Sequence, residues 1–458
     1  MGGIVIYGLF YTCCLLGLFS PWIGITAYFG FSFLNPEWNW PWAIPRDSGF
    51  QFWLFVCTAI GTLLRGFQGN SFEKWVNVGI IGLLIYLGIS FISAANTIDP
   101  VLTNLYMRSI WRIIVTVIIA IRLLDTPNKL LIFMWVIVLA QGYNSYQINK
   151  SYYELGYSLF VRKKDWTWLG SNQVANRTLC VSAIAASLSI MSNSNWKRIA
   201  SGALALLMLH EIMILESRGV MLGAIMAGAV FFVFLPKTRL NLFIIAIGIT
   251  GVAMLAGPSV IAEFTSSFNT SEESGDASAV SRFDLWRAGY QIMLDYPLLG
   301  VGPYAASRLV PAFIGDPFLT NKGLHNLWFE IACGSGILAA LCYFLFFFSN
   351  IYASVQILRD KIIRIDVRER AASLACVSGL GGFLIANIFS AGGLVEGSYV
   401  LAILGSASFL IHERRKQSFP DEDDALEDSA ELYHDEDHNF EFSTDAFEHP
   451  ENATGSMY

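Results

Sequence analysis

His325 opens the run His325-Asn326-Leu327-Trp328-Phe329-Glu330-Ile331-Ala332-Cys333-Gly334-Ser335-Gly336, which passes directly into an apolar segment. Of the six histidines, His434, His438 and His449 fall in a polar tail, and His412 abuts the last apolar segment beside Arg414-Arg415-Lys416. Only His325 and His210 remain within the apolar part of the chain. Upstream of His325 a long polar stretch carries Arg282 and Arg287, and Arg218 closes an earlier apolar segment. A neutral imidazole can take the proton of an attacking hydroxyl. Fixed guanidiniums can neutralise a departing phosphate through paired hydrogen bonds. A titratable base beside cations at a membrane edge therefore points to chemistry on an anionic, membrane-borne substrate. Those cations should also favour the neutral form of His325.

The elements that must position these groups are helices in a bilayer. The chain has 458 residues, of which 54% are hydrophobic and 14% charged, with mean hydropathy +0.51. That composition excludes a soluble domain and predicts an all-α polytopic membrane protein. Apolar windows lie at 3–19, 22–34, 50–66, 76–95, 108–123, 129–147, 175–193, 197–215, 219–235, 239–256, 324–348, 373–391 and 396–411. They give 13 spans, or 12 if residues 3–34 form one helix broken at Pro21. The first window lacks a basic leader and a small-residue cleavage site, so it reads as a span. The expected organisation is N-terminal membrane helices over 1–256, a large extracytoplasmic loop over 257–323 and C-terminal membrane helices over 324–411. An acidic cytoplasmic tail over 412–458 completes it.

Charge and cysteine usage narrow this further. Residues 417–458 hold fourteen Asp and Glu and no Lys or Arg, so the overall charge of −7 hides a body of +7. The tail is poor in packing residues and repels itself, which predicts disorder and a solvated rather than a binding role. All seven cysteines fall in apolar windows without metal or disulfide spacing, as small core residues do. Basic clusters at Lys197-Arg198, Lys237/Arg239, Arg359 to Arg370 and Arg414-Arg415-Lys416 should face the cytoplasm. That puts the C-terminus inside, the N-terminus outside for 13 spans, and His325 at the outer face.

Three outer segments are long enough to matter. Residues 35–49, with Trp38, Trp40 and Trp42, read as an aromatic belt. Residues 148–174 mix Tyr152, Tyr153, Phe160, Trp166 and Trp168 with Arg162-Lys163-Lys164 and read as an interfacial element. Within 257–323, Leu285, Gly289 and Met293 at i, i+4, i+8 predict a short helix over Ser281–Leu294, ended by Asp295-Tyr296-Pro297. Gly300-Val301-Gly302-Pro303 then makes a turn.

Ser281-Arg282-Phe283-Asp284-Leu285-Trp286-Arg287, then Tyr296-Pro297-Leu298-Leu299-Gly300-Val301-Gly302, then His325-Asn326 with Glu330, resembles the signature region of bacterial O-antigen ligases and related polysaccharide polymerases, which share a Wzy-C-type membrane domain. Ser217-Arg218-Gly219 is similar to another recurrent element of that family. The opening, Pro21 to Pro36, resembles the exosortase-associated O-glycosylation ligase branch. One departure is visible: Ala339 stands where a second glycine often follows Gly336. The resemblance implies transfer of a glycan from a polyprenyl pyrophosphate to an acceptor hydroxyl, without metal or other cofactor and without nucleic acid. The acceptor would be a glycan, a lipid or a protein, and the site would lie on the periplasmic side of a bacterial inner membrane. His325 would be the base, Arg218 and Arg282 the pyrophosphate ligands with Arg287 a third, and Asn326 and Glu330 supports for His325.

Each assignment has a plainer counterpart. His325 could be an interfacial residue, Arg218 a snorkelling one, and Arg282 a partner for Asp284 or Glu263. Asn326 and Glu330 could simply cap a helix. His210-Glu211 reads more simply as an interhelical hydrogen bond than as a relay, and Gly379, Gly381, Gly382, Gly392 and Gly393 as close-packing positions. Ligase and polymerase are not separated by these residues. A flippase or transporter of lipid-linked sugars would scatter polar groups toward the midplane in inverted repeats. A non-catalytic scaffold would leave the Arg282 to His325 constellation without a purpose.

Overall fold

The computed structural model describes residues 2–156, 170–255, 277–315, 322–360 and 365–418. Every regular element among them is helical: α1 (Gly2–Phe19), α2 (Pro21–Leu34), α3 (Pro36–Asn39), α4 (Phe50–Leu64), α5 (Lys74–Ala95), α6 (Pro100–Leu123), α7 (Pro127–Leu155), α8 (Ser171–Met191), α9 (Asn195–Ile214), α10 (Arg218–Phe234), α11 (Arg239–Leu255), α12 (Ala277–Asp295), α13 (Val310–Ile314), α14 (Leu327–Ser335), α15 (Ile337–Arg359), α16 (Val367–Ala386) and α17 (Glu396–Ser418). The all-α polytopic expectation holds. By length and composition α1, α5, α6, α8, α15 and α16 can each cross a bilayer. The acidic tail from 419 on, residues 256–276 of the large loop and Arg162-Lys163-Lys164 lie outside the described residues. Two compact units divide the chain, Met1–Glu413 and Arg414–Tyr458, and all the geometry below belongs to the first.

Helix starts follow local chemistry. Pro100 opens α6 behind Asp99, whose carboxylate accepts from the Val101 and Leu102 amides at 3.0 Å each. Pro127 opens α7 behind Thr126, and Asp366 caps α16 by accepting from Arg368 N at 2.8 Å. Pro21 does not merely kink one long helix. Gly17 faces Gly24 and Phe10 faces Phe31, so α1 and α2 fold back as an antiparallel hairpin, the 13-segment alternative. A Cβ on Gly61 would sit 2.3 Å from the Gly17 carbonyl oxygen, so α4 also approaches at that glycine.

The centre of the bundle is α8, 94% buried, packed by α9 and α16, while α16 crosses α10 and α15 packs along α5. At the α10–α16 crossing, a Cβ on Gly382 would lie 2.6 Å from the Gly223 carbonyl oxygen, and the reverse distance is the same. Gly379 meets Leu401 of α17 in the same manner. These glycines are structural, as their sequence context implied.

Residues 324–348 do not form a single span. Gly336, at φ 94°, separates the nine-residue α14 from α15. A Cβ at Gly336 would stand 2.1 Å from the Leu298 carbonyl oxygen, so only glycine fits there. The segment after α12 enters this break: Val301 N donates to Cys333 O at 2.9 Å, Gly302 N to Gly334 O at 3.0 Å, and Ile337 N to Pro297 O at 2.9 Å. The polar segment is thereby pinned to the start of α15. At the opposite end, His412 Nε2 lies 2.9 Å from Asp360, tying α17 to the end of α15.

Candidate active site

His325 is half-buried in the segment before α14, with a left-handed backbone (φ 50°) that side-chain-bearing residues rarely adopt. That conformation is held from its C-terminal side. Asn326 caps α14 by accepting from Phe329 N at 3.2 Å, and its amide donates to Ile388 O at 3.1 Å. Leu327 N donates to Asn387 O at 2.9 Å. A residue capping its own helix while bonded to another segment leaves little freedom to the residue before it. Asn326 thus fixes the start of α14 directly after His325.

The turn that receives these bonds, residues 387–395 between α16 and α17, is the hub of the site. Asn387 donates to Asn176 Oδ1 of α8 at 3.1 Å and accepts from Gly392 N at 2.8 Å, which folds the turn. Phe389 stacks at a tilt on Trp286 of α12, ring centroids 5.7 Å apart. On its other side Phe389 meets the start of α10: a Cβ on Gly219 would be 2.8 Å from the Phe389 Cβ. The Ser217-Arg218-Gly219 step thus has a physical reading. Glycine lets the helix end approach the turn, and Arg218, half-buried, is the first residue of that helix.

Arg282 stands one helical turn before Trp286, half-buried. Burial lowers the pKa of His325 from the ordinary histidine value, and the charges of Arg282 and Lys322 lower it further. His325 is accordingly a neutral base at neutral pH. One turn, 387–395, therefore joins the segments carrying Arg218, Arg282 and His325. Arg287 is not turned toward this cluster: it is exposed, on the side of α12 opposite the buried Leu285, Ala288 and Ile292. Glu330 is buried beneath α14's first turn, and burial pushes its carboxyl up to about 7 against one hydrogen bond from the Leu324 amide. Its Oε2 has no hydrogen-bond partner among the described residues.

Asn387, Phe389 and Lys322 were not singled out from sequence. Asn387 sits at the end of an ordinary apolar segment and nothing local marks it. Lys322 could have been found, three residues before His325. His210 and Glu211 are interior: His210 Nδ1 meets Asn149 Oδ1, and Glu211 accepts from Ser145, from Thr178 at 2.9 Å and from Gln141 at 3.5 Å. The interhelical hydrogen-bond reading holds for both. Among the described residues no three His, Cys, Asp or Glu side chains gather as metal ligands do.

A cleft of about 620 Å³ begins at Asn326 and Asn387 and runs between α15 and α16 along Leu341, Leu345, Phe348 and Leu384. Its lining is almost wholly apolar, with Asn326 and Asn387 the polar exceptions. Residues 203–344, which contain Arg218, Arg282, Arg287, His325 and Glu330, match the Wzy_C family model, described as O-antigen ligase. No curated protein matches the chain.

Proposed function

We propose that this chain, a multi-pass membrane protein belonging through its Wzy_C region to the O-antigen ligase family, transfers a glycan from a polyprenyl pyrophosphate to an acceptor hydroxyl. The observation that carries the reading is a half-buried histidine, kept neutral by burial and two cations, in a segment bonded to the same turn that the start of the Arg218 helix packs against. His325 takes the proton of the acceptor hydroxyl as its oxygen bonds to the anomeric carbon. The bond from that carbon to the phosphate oxygen breaks, and the pyrophosphate leaves with the electron pair. Arg218 and Arg282 neutralise its developing charge through hydrogen-bond forks. Asn326 orients the base, and Glu330, with a free carboxylate oxygen near the start of α14, supports that segment. Arg287, on the far side of α12, is left out of the pyrophosphate set. The 620 Å³ cleft supports a lipid-linked donor, because it reaches Asn326, the residue after His325, and its walls are those of a membrane span. The site works on the periplasmic side of a bacterial inner membrane and needs no metal ion.

The test uses the full chain in membranes with polyprenyl-pyrophosphate-linked glycan and candidate acceptors, under chelator. Wild type should transfer glycan, and His325→Ala should lose about 10²–10⁴-fold in rate. Undiminished transfer by His325→Ala removes the base from the mechanism, and loss under chelator removes metal independence. Movement of the glycan lipid across the bilayer without transfer replaces the enzyme by a transporter.

A further inference from the structure

Helix α12 carries one strip of side chains used by neither the core nor the candidate active site. At 100° per residue its described side chains divide into four sectors. Leu285, Ala288 and Ile292 face the core and are buried. Arg282 and Trp286 face His325 and the 387–395 turn. Asp284, Gln291 and Asp295 form an exposed polar sector. Between the polar and site-facing sectors runs a fourth strip, Phe283, Arg287, Tyr290 and Leu294, spaced i, i+4, i+7, i+11. Its apolar members are 67%, 53% and 54% exposed, in chain order.

The level of this strip relative to the bilayer follows from what its helix touches. Trp286 packs on Phe389, three residues past the end of α16. Just beyond α12, Pro297 accepts from Ile337 N, the first residue of the α15 span. Both contacts are with outer ends of antiparallel, adjacent helices. The helix therefore runs across the ends of the bundle for about 14 Å between Trp286 and Asp295. At that depth an exposed side chain meets either water or lipid. Large apolar residues in a strip, a single arginine along it and acidic residues confined to the neighbouring sector match an interfacial helix. Tyr296 and Leu298, 45% and 80% exposed, extend the apolar edge toward the span.

We propose that the strip Phe283–Arg287–Tyr290–Leu294 rests in the outer headgroup layer, with Arg287 on lipid phosphates and the apolar members at the acyl boundary. Arg287 then serves the lipid surface, and α12 floats Arg282 at the depth where membrane-anchored phosphates lie.

The experiment places single added cysteines at Tyr290→Cys, on the strip, and Gln291→Cys, its neighbour on the polar sector. The full-length protein is reconstituted one copy per nanodisc of phosphatidylethanolamine and phosphatidylglycerol. Both positions are exposed, so folding is not at stake, and the unsubstituted protein gives the background from native thiols. A charged maleimide should label Tyr290→Cys about tenfold more slowly than Gln291→Cys, while an apolar maleimide labels both. A benzophenone amino acid at Phe283 should crosslink to phospholipid. Equal labelling by the charged reagent, with no lipid adduct, overturns the assignment. Protection found only with two copies per disc gives the strip to a second copy instead and also overturns it. The readout involves no transfer activity.

Discussion

Around Glu211 the chain surrounds a buried carboxylate with its own donors, whereas around His325 it brings cations and a base together and leaves them half-exposed. The interior cluster joins α7, α8 and α9 through Ser145, Gln141 and Thr178. Arg177, 4% exposed and stacked over the Phe33 ring, lies near enough to Glu211 and Glu396 to share their charge. Such a network specifies which helix faces meet, because an unpaired member costs more than the pair contributes. Beside His325, side chain and amide are tied to backbone instead: Asn326 to Ile388, Leu327 to Asn387. The charged groups there, Arg218 and Arg282, are half-buried rather than enclosed. The two clusters thus differ in burial: one is sealed in the core, the other keeps partial access.

The contrast breaks most sharply at the arginines. Arg218→Lys and Arg282→Lys keep the charge and lose the planar fork, so each should cut transfer by about 10²–10³-fold. Thermal unfolding should be unaltered. Full activity in either variant takes that residue out of the site.

Acidity sharpens it next. His325 must be neutral to accept a proton, and burial and its neighbouring cations lower its pKa. Transfer should therefore fall on the acid side only below the ordinary histidine value of about 6.5. Removing one of the responsible charges with Arg282→Gln should raise that limb in the residual activity. A limb that stays in place means another group sets it.

The smallest effect on rate is expected at Glu211. Glu211→Ala leaves the donors of Ser145, Gln141 and Thr178 without their acceptor, a loss of about 1–3 kcal/mol in stability. The rate per folded molecule should stay at the wild-type value. A catalytic defect in protein of undiminished stability would erase the distinction between the two clusters.

Much of this was legible before any coordinates. The apolar windows became helices, the i, i+4, i+8 pattern of Leu285, Gly289 and Met293 became the inward face of α12, and His210-Glu211 proved interhelical. The misreadings have specific causes. The run 324–348 averages as apolar, and a window average passes over Gly336, where the backbone must break for Leu298 to approach. Arg282 and Arg287 look alike in a motif, yet five residues on a helix put them on different sides, and burial shows which side is which. The Asn387–Phe389 turn had no signal, because its role lies in contacts with residues far away in sequence.

By itself the sequence determined the medium and the helices, and marked His325 and the arginines as candidates. Hydropathy and residue type are local properties, and a bilayer leaves the backbone few conformations besides the helix. Tertiary structure alone decided which cations share a turn with His325, and that His325 adopts a left-handed conformation. It also decided that α12 presents a fourth, unpartnered strip. Those outcomes depend on close approaches such as Gly219 to Phe389 and Gly336 to Leu298, where the absence of a Cβ matters only once the opposing segment is in place.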